Sequence, residues 1–103
     1  MTIQVANVTS LGNTVYTSIG NTAITFLSLC NYGATGVTAN VYVVPTGNSS
    51  STNNIILANL AVSADDTYQL YAGGEKLLLG NGDFISVQSN ANTMTAVTSY
   101  TSI

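Results

Sequence analysis

The sequence predicts an all-β chain: an antiparallel β-sandwich of jelly-roll or Ig-like type, folded as one domain over residues 1–103. Three observations carry this. Val, Ile, Thr and Tyr dominate while strong helix formers are scarce. Several short stretches alternate apolar and polar residues with the period of two that half-buried strands require. Clusters of Gly, Asn, Asp and Pro interrupt these stretches at the spacing of a sandwich or barrel. The 46% hydrophobic content supports a core, and with 5% charged residues the chain lacks the low hydrophobicity and high net charge of a disordered one.

Taken in order, strands are expected at 2–9, 13–19, 22–31, 36–44, 54–63, 67–72, 75–79, 83–90 and 94–102. Gly12-Asn13 ends the first and Gly20-Asn21 the second. "AITFLSLC" is apolar on both faces, as a central strand covered by a neighbour or a partner subunit would be. Asn31-Tyr32-Gly33 closes it. In "VTANVYVV", Val37, Ala39, Val41 and Val43 form one face; in "IILANLAV", Ile56, Ala58, Leu60 and Val62 do. Pro45 to Asn54 separates those two strands, and Ala64-Asp65-Asp66 and Gly73-Gly74 bound the next. In "DFISVQS", Ile85 and Val87 alternate with Phe84, Ser86 and Gln88. Two facing sheets fit these patterns.

Charges are few, and Glu75, Lys76 and Asp83 gather around Gly80-Asn81-Gly82. Asn-Gly between apolar runs signals a two-residue hairpin. Gly80, Asn81, Gly82 and Asp83 are therefore read as a structural turn, with Asp83 accepting backbone N–H bonds and Glu75 and Lys76 as solvated strand-end charges.

The composition removes functions. No Arg, no His, one Lys and a net charge of −3 leave no positive surface for nucleic acid or an anionic membrane. No apolar run is long enough for a membrane span, and the N-terminal stretch lacks the form of a signal peptide. Cys30 has no partner for an internal disulfide and is expected as a buried free thiol. Serine and threonine nucleophiles lack a histidine base. Neither "GATG" nor "GGEKLLLGNG" matches a phosphate-binding loop. Asp65-Asp66 are better read as turn caps than as calcium ligands, since neighbours on a strand point apart. The chain is expected to be no enzyme, with no cofactor and no metal. Sequons at Asn7 and Asn48 match chance in a chain this rich in Asn, Ser and Thr.

The segments "GNTAITFLSLCNYGATGVTANVYVVPTG" and "NIILANLAVSADDTYQLYAGGEKLLLGNGDFISVQS" resemble the short all-β virion structural proteins of tailed bacteriophages, T4-like cyanophages above all. The shared features are structural: Asn21 to Leu27, Cys30-Asn31, Val41 to Pro45, Ala64 to Tyr68 and Leu77 to Ile85. The resemblance implies a virion location and a homo-oligomer bound to the major capsid protein or other virion proteins, without nucleic acid or membrane. Capsid decoration is the preferred role. The alternatives are a tail, neck, baseplate or fibre-associated component, or a host-surface carbohydrate-binding module using Tyr32, Tyr71 and Asn48 to Asn54. For assembly, residues 1–9 are read as an arm, extended at about 3.3 Å per residue. Ile3, Val5, Tyr16 and Tyr100 are its expected contacts.

Overall fold

The computed structural model describes residues 2–70 and 77–103. The strands are β1 (Thr2–Val8), β2 (Asn13–Thr17), β3 (Thr22–Asn31), β4 (Val37–Val44), β5 (Ile55–Val62), β6 (Asp66–Leu70), β7 (Leu77–Leu79), β8 (Phe84–Ser89) and β9 (Met94–Ser102). Each overlaps an expected strand. Residues 71 to 76, and with them Tyr71, Gly73-Gly74, Glu75 and Lys76, lie outside the described residues.

Two antiparallel sheets face each other. The first has the order β1-β9-β3-β6, with β7 also against β3; the second has the order β2-β8-β4-β5. The pairs nest: β1 with β9, β2 with β8, β3 with β6 and β7, and β4 with β5. A chain that pairs its ends and works inward to one central hairpin is a long ribbon rolled on itself. That is jelly-roll topology, which resolves the choice between jelly-roll and Ig-like.

Inward side chains of both sheets build the core: Ile24, Leu27 and Leu29 of β3 meet Val41 of β4 and Ile85 and Val87 of β8. The alternation read for β4 and β8 holds, with Val37, Ala39 and Val41 buried and Val43 packed against the cluster.

Two strands break parity, and both breaks correct the sequence reading. In β3 the register to β9 shifts between Ile24 and Phe26. The extra residue turns Ile24, Leu27 and Leu29 all to the core, so "AITFLSLC" is not simply apolar on two faces. In β5 the register to β4 jumps from Ala39↔Leu60 to Val41↔Leu57. At the break Asn59 adopts φ 53 and its N–H donates to Asn40 Oδ1 at 2.8 Å. Leu57, Leu60 and Val62 therefore face the core, while Ile56 and Ala58, expected there, are exposed. A bulge shifts the inward set by one residue beyond it, which strict alternation in sequence does not reveal.

Cys30 is half-buried rather than buried, because the same shift turns it to the outer face of the first sheet beside Thr95 and Thr67.

Among the described residues one core group is unsatisfied: Thr98 is fully buried and its Oγ1 finds no hydrogen-bond partner there. Valine keeps the β-branched shape and removes the orphaned hydroxyl. Thr98→Val should stabilise the domain by about 1 kcal/mol, raising Tm by about 4–8 °C in a differential scan. A lower Tm would show that the hydroxyl has a role the packing does not reveal.

Candidate assembly face

Residues directly opposite in antiparallel strands share a face, so the registers place the outer side chains of the first sheet in rows. One row is Ile3, Ser99 and Phe26; the next is Val5, Val97, Ser28 and Gln69. Ile3 and Val5 are 63% and 58% exposed. Neither Phe26 nor Val97 belongs to the core cluster, and both are half-buried on this outer side. The two rows hold no charged residue.

The border of this face is β1, the terminal strand of its sheet. Its pairing to β9 runs without interruption from Thr2↔Tyr100 to Val8↔Met94. Within the expected 1–9 arm, Thr2 to Val8 are thus an integral edge strand rather than a free arm, and Val8 lies in the core. The free side of β1 carries no charge, proline or bulge, the devices that usually blunt an edge. The second sheet differs, since its edge strand β5 is interrupted at Asn59.

Of the four expected contact residues, Ile3 and Val5 lie on this face. Tyr16 is 6% exposed; its ring meets that of Tyr100 with centroids 4.3 Å apart, and its hydroxyl donates to Thr22 Oγ1. The two tyrosines close one end of the core. Phe26 and Val97, absent from that expectation, take their place on the surface. Only the cross-strand register brings them beside Ile3 and Val5.

The turn at Gly80 to Asp83 is present, but it is not a hairpin. β7 belongs to the first sheet and β8 to the second, so the turn is a corner between sheets. Asp83 N–H donates to Gly80 O, and of the two central residues only Gly82 has positive φ, at 86°. Type I′ would need positive φ at both; this is the type II pattern. The Asp83 carboxylate accepts N–H bonds from Gly80 at Oδ2 and Thr46 at Oδ1, both at 2.9 Å. Asn81 Oδ1 accepts from Gly20 N–H. The corner thereby ties three loops together.

Asp65 lies in the turn between β5 and β6, and Asp66, whose N–H donates to Ser63 O across that turn, is the first residue of β6. Asp65 has φ 58, and Asp66 Oδ1 accepts the N–H of Thr67, as turn-capping residues do. Tyr32 is exposed, with its hydroxyl donating to Asn92 O.

Comparison with known proteins adds no relative: no family model, curated protein or solved structure matches the chain.

Proposed function

We propose that the chain is a virion structural protein of a tailed bacteriophage, serving as a capsid decoration subunit that assembles with itself and with the major capsid protein. The observation that carries this reading is the pair of rows on the outer face of the first sheet that hold Ile3, Val5, Phe26 and Val97 and no charge among the described residues, bordered by the unblunted edge of β1. An apolar face joined to an open edge offers both halves of a protein contact: area to bury and backbone groups to pair. A subunit held on a lattice also needs little net charge of its own for solubility. The jelly roll supports the reading by analogy, being an architecture shared with viral capsid domains.

The test is substitution on the face. Ile3→Glu with Val5→Lys leaves the core intact and should change folding stability by no more than about 0.5 kcal/mol. The same pair should abolish self-association in sedimentation velocity and reduce occupancy on purified particles by about tenfold or more, the equivalent of about 1.4 kcal/mol. Wild-type occupancy in the double variant would reject the face. Deleting residues 1–9 is a poorer test, because it removes Val8 from the core. Copy number separates decoration from the tail readings: a decoration subunit matches the capsid lattice in number, whereas a tail, neck or baseplate component is present in few copies per particle.

A further inference from the structure

The opposite side of the molecule has a different character. On the outer face of the second sheet, Tyr42 of β4 and Phe84 of β8 lie diagonally across neighbouring strands, since Tyr42 pairs with Ser86 and Val44 with Phe84. The loop at Asn48 and Ser49 forms the facing wall, and the groove between them encloses about 360 Å³. Gln88 continues the groove into a second hollow of about 220 Å³ lined by Asn40, Asn59 and Asn90. Among the described residues, none lining either hollow is charged.

Three amides in this groove are held in fixed orientations by the backbone. Gln88 donates from Nε2 to Ser10 O at 2.9 Å, which leaves Oε1 an acceptor unused among the described residues. Asn40 Oδ1 accepts the Asn59 N–H, and Asn90 Oδ1 accepts the Thr38 N–H at 3.1 Å. Both of these amides keep their NH₂ donors unused among the described residues. Asn40 and Gln88 are direct cross-strand partners, so a free donor stands beside a free acceptor. Asn59, whose N–H sets the Asn40 amide, sits in the left-handed region that costs a non-glycine residue energy.

We infer that this groove is a binding site for a neutral oligosaccharide. A pyranose ring has an apolar C–H face that stacks on an aromatic side chain, and a rim of hydroxyls that each donate and accept. Tyr42 and Phe84 supply the platform. The Gln88 acceptor with the Asn40 and Asn90 donors matches adjacent hydroxyls, and their prior orientation lowers the ordering entropy of binding. The groove volume falls within the range of small-molecule sites. An anionic ligand finds no basic partner here. A peptide strand would look for an open sheet edge rather than the middle of a face. This site is independent of the assembly proposal and lies on the other sheet.

The experiment is titration of the ¹⁵N-labelled full chain with maltotriose and with chitotriose, alongside an array of neutral, sialylated and sulfated glycans. A neutral glycan should shift the amide signals of Asn40, Tyr42, Phe84 and Gln88. Tyr42→Ala should weaken that binding by about tenfold or more, while Tyr42→Phe stays within about threefold. Gln88→Ala, at a half-buried surface position, gives an independent reading should Tyr42→Ala fail to fold, and should also weaken binding. Absence of binding to every neutral glycan, preference for the sialylated or sulfated ones, or shifts confined to other residues would overturn the inference.

Discussion

Replacing Asn31 with alanine should lower stability by about 3 kcal/mol or more, a fall in Tm of at least about 12 °C. Asn31 ends β3 fully buried, and its amide is the junction of three chain segments. Nδ2 donates to Thr35 O at 2.8 Å, Val62 O at 3.1 Å and Ser63 O at 3.2 Å. Oδ1 accepts the Gly33 N–H and the Thr93 hydroxyl, both at 3.0 Å. Alanine leaves the buried Val62 O and four part-buried partners without the amide and opens a void as well. Asn31→Asp discriminates further. It keeps an acceptor but sets a carboxylate oxygen against carbonyls, so the folded-state pKa of the new group must rise above about 3.9, its unfolded value. Its protonated form then favours the folded state. The deficit of this variant relative to wild type should be smallest at pH below about 4 and grow as pH rises through the raised folded pKa. Urea denaturation of both proteins across pH measures it; a deficit independent of pH would mean that Asn31 is not enclosed as described.

Gly82→Val should destabilise the domain by about 2–4 kcal/mol. Two penalties combine. The backbone at φ 86 suits glycine and resists a β-branched residue. A Cβ at this position would also clash with the Thr46 hydroxyl oxygen and come within 3.0 Å of Thr46 Cβ. The Asp83 carboxylate holds the Thr46 backbone N–H, so Thr46 Cβ stays in place even where rotation about χ1 swings the hydroxyl aside. Adding Thr46→Gly to Gly82→Val should recover the steric part and leave the backbone part. A double-mutant cycle in thermal melts separates them. An unchanged Tm for Gly82→Val would count against both the corner geometry and the close approach of the 46 loop.

The nine strands of the described residues are legible in the sequence, and so is the position of most breaks between them, because β-branched runs and Gly/Asn punctuation are local signals. So is the inward alternation of Val37, Ala39 and Val41, or of Ile85 and Val87, because those strands run without an internal bulge on the β4–β8 pairing. Parity fails where a bulge intervenes. Nothing local in "IILANLAV" says that Asn59 turns left-handed; the Asn40 amide across the strand holds it there. Nor does Gly80-Asn81-Gly82 reveal whether the strands on either side pair with each other. That depended on β7 joining β3 and β8 joining β2 and β4, contacts distant in sequence. The same holds for the two faces. The scarcity of charge was fixed by composition, but the gathering of Ile3, Val5, Phe26 and Val97 on one side, and of Tyr42, Phe84 and three oriented amides on the other, came from cross-strand register. By itself the sequence determined the strands, the places where the chain turns and the scarcity of charge. Only the tertiary structure decided which side chains became neighbours, because register is set by long-range pairing and by bulges that shift every residue beyond them.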